Sequence, residues 1–428
     1  MPGHWAVRFQ TGLHRAGLEP TSMFVSLRIR DYRLLFWGQG LSVCGTWMQT
    51  VAQGWLVLEL SNSGTVLGII GSARYVPILL LGPLGGVAAD RFDKRRVLLV
   101  TQAVSGALAA ALAVIVWTRQ DRLWLIGTIA LTLGVVNAFD QPARLSMVTE
   151  LVPDRLVANA VTLNSLTQNV GRVVGPAMAG LMITAFGLVA CFAANAVSFV
   201  AVIAGLLLMD GRRDGAARGR AARAPGQLRE GLRYVRHTPR IAIPLLMVTV
   251  VGALAWEFPI SLPLMARGAF GGGAGTYGAM MAAMGVGAVI GGLIGAARSR
   301  VMPVSLARSS LVWGLTILLA AGAPNLDLEL GALVLVGYSS VSFNSLAKTL
   351  LQLAAVPAMR GRVMSIWNMA WTGSTPLGGP LVGAVGEVAG ARWALLVGSI
   401  AALVAGLAAY RRLAAEPDSS PVSQEPDA

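Results

Sequence analysis

Gly85-Gly86-Val87-Ala88-Ala89-Asp90-Arg91-Phe92-Asp93-Lys94-Arg95-Arg96 ends by packing six charges into seven residues, between apolar runs at about 66 to 88 and 97 to 117. A hydrocarbon core of about 30 Å needs roughly 20 helical residues at about 1.5 Å each, and both runs are near that length. In lipid a helix satisfies its own backbone polar groups. The stretch therefore reads as a short charged loop joining two membrane-spanning helices.

The same alternation continues in both directions. Apolar spans fall at 34 to 58, 66 to 88, 97 to 117, 123 to 140, 161 to 186, 189 to 209, 241 to 263, 277 to 297, 309 to 323, 330 to 347, 364 to 388 and 393 to 410. With 55% hydrophobic and 13% charged residues and a mean hydropathy of +0.65, a soluble globule would lack polar surface. The net charge of +14 does not point to nucleic acid, because the basic residues are scattered between spans rather than gathered on one soluble face. If the N-terminus is cytoplasmic, inside segments hold 28 of the 34 Lys and Arg. The positive-inside rule then predicts a multi-pass protein of the cell (inner) membrane with both ends in the cytoplasm. The first 33 residues carry five arginines and no apolar core before a small-residue cleavage site, so no cleaved signal peptide is expected.

Shifted by 204 residues, the chain matches Phe139 with Phe343, Pro153 with Pro357, Asn164 with Asn368, and Gly175-Pro176 with Gly379-Pro380, while Arg144 meets Lys348. A shared register through the end of span 4, the next loop and span 5 implies duplication. The expected organisation is a cytoplasmic segment (1–33), a six-helix half (34–209), a cytoplasmic linker (210–240), a second half (241–410) and a disordered tail (411–428). Within the linker, Leu228, Leu232 and Val235 share one helical face and Arg229, Arg233 and Arg236 another, which predicts an amphipathic helix on the cytoplasmic leaflet. The fold class is all-α, with 12 transmembrane helices in two pseudo-symmetric six-helix bundles.

This architecture resembles the major facilitator superfamily. Gly85 to Arg96 is similar to that superfamily's loop signature, with Asp93 where glycine is usual. The equivalent Gly291 to Arg298 keeps glycines and an arginine but has Ala296 for the acid. Gly171-Arg172-Val173-Val174-Gly175-Pro176 resembles the Gly-Pro motif of antiporters. Arg30-Asp31-Tyr32-Arg33, Gly45 to Gln49, Phe139 to Arg144 and Pro357 to Arg362 look like the branch containing enterobactin exporters and transmembrane secretion effectors.

The resemblance implies a cytoplasmic gate at Gly86, Asp90, Arg91, Lys94, Arg95, Asp140 and Arg144. Asp90 would meet the N-terminal end of span 11 while basic residues of the loop meet Asp140; the alternative is that these charges only set topology. Helix N-termini favour anions by about 0.3 to 2 kcal/mol, enough to bias a two-state equilibrium. Gly171, Gly175, Pro176, Gly379 and Pro380 are expected to act as pivots or close contacts.

Polar residues share single helical faces: Ser42, Thr46, Gln49 and Gln53 in span 1, Asn164, Gln168 and Arg172 in span 5, and Ser365, Asn368, Thr372 and Thr375 in span 11. These stripes either hydrogen-bond between helices or line a wet cavity. Trp47, Trp55, Trp367 and Trp371, with Met280, Met281 and Met284, are candidates for its apolar walls. An arginine near the bilayer centre costs at least about 2.5 to 3.5 kcal/mol, so Arg74 and Arg172 should face the interior. Arg172 is the preferred contact for an anionic or polar cargo, with a structural carboxylate as its alternative partner. Glu257, flanked by Trp256, Phe258 and Pro259, is the expected coupling acid, since a carboxyl that exchanges a proton as its exposure alternates couples proton flow to cargo. Glu59 and Glu387 read as solvated helix ends.

Cys44 and Cys191 read as packing residues, and His4, His14 and His237 all fall outside the spans, so neither a metal site nor an intramembrane histidine relay is expected. Without a phosphate-cradling loop or a His/Cys cluster, neither a cofactor nor enzymatic action is expected. The leading expectation is a monomeric secondary transporter exporting a small amphipathic drug or siderophore-like metabolite in exchange for protons. The alternatives are a proton-coupled importer and a membrane sensor or lipid-handling protein.

Overall fold

The computed structural model describes residues 24–210, 227–296 and 302–414. The N-terminal segment to residue 23, most of the linker, Ala297 and Arg298 after span 8, and the tail beyond residue 414 lie outside them.

α1 (Arg30–Ser61) is span 1, α2 (Gly64–Ala73) and α3 (Tyr75–Arg91) share span 2, and α4 (Lys94–Trp117) and α5 (Leu123–Glu150) are spans 3 and 4. α6 (Val157–Leu207) contains spans 5 and 6, turned at Gly187. Its φ of 80° suits a residue without a Cβ. α7 (Gln227–His237) leads into α8 (Pro239–Leu254) and α9 (Phe258–Gly268), which share span 7. α10 (Ala274–Ala296), α11 (Pro303–Gly322) and α12 (Leu326–Ala354) follow. α13 (Arg360–Gly373) and α14 (Thr375–Val388) share span 11, and α15 (Ala391–Ala414) is span 12. An even number of crossings returns the chain to its starting side.

Side-chain caps mark several helix starts, satisfying N–H groups that a first turn leaves free. Asp93 accepts from the Arg96 N–H at 3.0 Å, Ser63 from Val66 at 3.2 Å and Asn325 from Leu328 at 3.0 Å. The first explains Asp93 in the place where the loop signature has glycine: it starts α4.

Among the described residues, nine helical stretches are long and apolar enough to cross a membrane by length and composition. One of them holds spans 5 and 6. The two crossings outside this set, α1 and the α13–α14 pair, both carry polar stripes, and such polar faces belong inside the bundle. The outer surface is apolar instead, with Leu181, Phe186 and Leu377 each more than 70% exposed. The chain is a multi-pass membrane protein.

The halves meet along two seams. Gly64 and Gly68 of α2 lie against Gly383 and Gly379 of α14, so closely that a methyl on Gly68 would sit 2.8 Å from the Pro380 Cα. The first limb of α6 meets α10 where a methyl on Gly278 would lie 2.6 Å from the Gly180 Cα. Small residues permit this approach of backbones.

α7 departs from the expected leaflet-lying helix. Its Glu230 accepts from Arg362 at 2.6 Å, its Tyr234 hydroxyl accepts from the Val356 N–H at 3.3 Å, and Gly231 packs on Arg362 and Ile366. One face is thus docked on the start of span 11, because Glu230 finds a cation there; Leu232, Arg233 and Arg236 stay exposed. The side chains of Leu228 and Arg229 lie outside the described set.

Candidate functional site

Three spans are interrupted partway across the bundle: span 2 at Arg74, span 7 at Glu257 and span 11 at Ser374. Arg74, Glu257 and Thr375 all line one cavity of about 320 Å³. Non-helical backbone at membrane depth is tolerated where it is buried in protein or borders a wet space, so the breaks and the cavity belong together. Most of the lining comes from the first half; Trp256, Glu257, Pro259, Ile260 and Thr375 come from the second.

The polar stripe of span 1 lines the cavity with Ser42, Thr46, Gln49 and Gln53. Gln49 is fixed there, accepting from the Asn195 amide at 2.6 Å. Of the span 5 stripe only Gln168 lines the cavity, and of the span 11 stripe only Thr375. Asn164, Arg172 and Asn368 are outside the lining, and Asn368 is exposed. Trp47 and Trp256 form aromatic wall, and Trp371 stacks edge-on behind Trp256 at 4.8 Å. Met280, Met281 and Met284 are buried in the core rather than in the wall, so their flexible side chains serve packing.

Of the two arginines within spans, the cavity takes Arg74 rather than the preferred Arg172. Arg74 is in the cavity wall, donating to Thr50 Oγ1 at 3.3 Å with the Tyr75 ring 5.6 Å from its guanidinium carbon. Arg172 lies over the rings of Trp47 and Trp256, at 5.2 and 5.8 Å. These faces come from both halves and attract a cation through their quadrupoles. The structural carboxylate considered for Arg172 is absent: among the described residues it has no ion pair.

Asp140 and Arg144, expected at the gate, lie in the cavity wall instead. Asp140 accepts from Thr101 Oγ1 and Gln102 Nε2 at 2.7 Å each and stands 3.9 Å from Arg144 Nε; Arg144 donates to Gln39 at 3.0 Å. The loop lysine reaches Glu150 at 2.9 Å and Arg95 reaches the Leu207 carbonyl at 2.9 Å. The expected contact between the loop and Asp140 is not formed, for a reason of depth. Asp140 precedes Glu150 by ten residues, about 15 Å along a helix.

The remaining gate residues sit at the end of span 2. Gly86 is half-buried, whereas Asp90 and Arg91 are exposed; among the described residues Asp90 has no partner. The opposite end is closed. There Glu387 Oε2 of α14 accepts from Ser63 Oγ at 2.6 Å and from the Thr65 N–H at 2.9 Å, crossing between halves onto the start of α2. Arg267 of α9 donates to the Leu58 carbonyl of α1 at 2.9 Å. Glu387, read from sequence as a solvated end, is exposed and also makes a cross-half contact.

The Gly-Pro segments are close contacts of different kinds. A methyl on Gly175 would lie 2.6 Å from the Cys44 carbonyl oxygen, and Gly171 faces Val43, so both bring span 5 against span 1. Pro176 presents its carbonyl to Gly278 across the seam. Gly379 and Pro380, their repeat equivalents, face Gly68 and Ser72 of the other half; adjacent Gly378 takes the within-half role against Ala253 of span 7.

Asn137, Gln141, Gln102, Ser105 and Asn195 also line the cavity and were not anticipated. Asn137, Asp140, Gln141 and Arg144 share one helical face by their spacing, which was the available signal.

Residues 21–426 match the transmembrane secretion effector family. The multidrug efflux pump Tap of Mycobacterium tuberculosis is 26% identical over 408 residues, 88% of this chain and 92% of that protein. The staphyloferrin A transporter of Staphylococcus aureus is 32% identical over 161 residues, 37% of this chain and 41% of that protein. The match thus spans less than half of the latter's length. Among solved structures, the nucleoside transporter NupG aligns with a TM-score of 0.74 at 15% identity, covering 90% of this chain and 99% of that one. A bacterial homologue of the lysosomal transporter Spinster aligns at 0.71 and 14%, covering 92% and 97%. These neighbours share the two-bundle fold, and the twelve crossings, the seams and the family match converge: the chain belongs to the transmembrane secretion effector family of major facilitator transporters, not to an enzyme family.

Proposed function

We propose that this protein is a proton-driven exporter of a small amphipathic molecule, a drug or siderophore-like metabolite, working as a monomer by alternating access. It lies in the inner membrane with both chain ends cytoplasmic. The observation that carries the reading is the mixed cavity between the halves, where aromatic wall, amide stripe, two arginines and a buried carboxylate meet at three broken helices. A site of this kind at a repeat interface is how secondary transporters hold cargo. The efflux pump and siderophore transporter among the relatives favour outward movement.

In this reading the Glu387 end is the outer end, and the cavity communicates inward past Asp90. Cargo enters from the cytoplasm and binds between Trp47 and Trp256. Closure at the inner end carries Asp90 onto the N-terminus of α13, where a helix favours an anion, while Glu387 leaves Ser63 and Thr65. Cargo then departs outward, and Glu257 takes a proton from outside and releases it inward to reset the cycle.

Inverted vesicles test direction. A compound selected by a susceptibility and secretion screen should accumulate in them when their lumen is acidified, and an ionophore should abolish the uptake. Uptake only into right-side-out vesicles would establish import, and a stoichiometric co-purifying partner without flux would establish a sensor.

A further inference from the structure

Arg74 and Arg172 are two guanidinium groups inside the bundle, and neither has an ion pair among the described residues. Keeping charge from water without a counterion is costly. The acids of the cavity are otherwise engaged: Asp140 is held by Thr101, Gln102 and Arg144, and Glu257 has the Thr375 hydroxyl as its polar neighbour. Arg172 lies over Trp47 and Trp256, which line the same cavity as Arg74, so the two cations flank one region.

Arg74 is also the better aimed. Gly134 of α5 packs directly on its backbone, which fixes the break where the side chain originates. One terminal nitrogen is held by Thr50, while Nε is buried with no hydrogen-bond partner. The hydrogen-bonding capacity of Arg74 is thus only partly used within the protein, and a guanidinium at the wall of a cavity offers the planar, paired donors that suit a carboxylate. Beside it, Trp47 and Trp256 offer flat apolar surface, and a cavity of about 320 Å³ lies at the small end of ligand sites.

We propose that Arg74 is the specificity-determining residue of the cavity and selects a cargo whose planar aromatic body carries a carboxylate or similar oxyanion, with Arg172 adding its field from behind the tryptophans. The inference rests on the export reading only in identifying this cavity as the transport site.

The test compares 2-naphthoate with 2-naphthamide, which has the same shape without the charge, by titration calorimetry on the purified full chain in lipid nanodiscs. Loss of charge-assisted hydrogen bonds predicts naphthoate binding at least ~10-fold tighter than the amide. Arg74→Gln should bring that ratio to about 1, and Arg74→Lys should leave an intermediate ratio, which also controls for any folding defect in the first variant. Equal affinities in the wild type, or a ratio that survives Arg74→Gln, would overturn the inference. Proteoliposome flux is scored separately. Export of the amide but not the acid keeps the export reading and sinks the anion site; discrimination in binding with no flux of either does the reverse.

Discussion

Glu257 is the one carboxylate of the cavity wall that lacks an arginine partner, and it stands at the break of span 7, 4% exposed. Its Oε1 has no hydrogen-bond partner. In the proposed cycle a carboxyl so placed would exchange its proton according to which end of the cavity is wet. Glu257→Gln should therefore reduce proton-driven exchange to its level without a gradient while cargo binding persists, measured as counterflow in proteoliposomes beside calorimetric binding; normal coupling would remove Glu257 from the cycle. Residue by residue, the sequence was readable where spacing alone decided the outcome, as for the span 1 stripe. It was silent where a partner from another helix decided. Nothing local distinguishes Arg74, which meets a cavity, from Arg172, which meets two tryptophans, because the difference lies in what spans 1 and 7 bring opposite them. Glu387 is exposed, as its place at a helix end implies, but its contact with Ser63 and Thr65 depends on another helix beginning beside it, which spacing does not reveal.

At the scale of helices, the turn at Gly187 was legible because a glycine separates two runs of bilayer length. The breaks in spans 2, 7 and 11 left only local marks, Arg74, Glu257 before Pro259, and Ser374 before Pro376, inside runs long enough to read as single spans. Proline in the first turn of α9 and of α14 restarts those helices, while at span 2 Gly134 packs on the Arg74 backbone and the α2–α14 seam fixes the half-span beside it. The seam makes a sharp prediction. Gly68→Ala would press a methyl into the backbone of Gly379 and Pro380, where no side-chain rotation relieves it. Overpacking of this order costs about 1 to 2 kcal/mol, a factor of about 5 to 30 in the population of the closed seam. The variant should insert normally yet leave the outer end open more of the time, read as faster alkylation of a cysteine introduced at Thr65 on the sealed face. Unaltered alkylation would mean that the seam does not set the closed state.

For the whole molecule, spans 2 and 11 run antiparallel and each carries an acid near its end, Asp90 and Glu387. Glu387 closes α14 on the start of α2, and in the proposed cycle Asp90 would close α3 on the start of α13. The second contact is open here, with Glu230 of α7 already bound to Arg362 at that place. In the proposed cycle one pair of helices thus carries an acid for each end of the transport path, and rocking of the halves would trade one contact for the other. Substitution of the two acids should then act in opposite directions. Glu387→Gln weakens the outer seal and shifts the population outward-open; Asp90→Asn weakens the inner seal and shifts it inward-open, lowering transport without lowering insertion. Because the sites lie at opposite ends of the bundle, their free-energy effects should add within about 0.5 kcal/mol in the double variant, returning the population toward that of the parent. Spin-label distances across each end measure this directly, and shifts of the same sign for both variants would rule out a reciprocal pair.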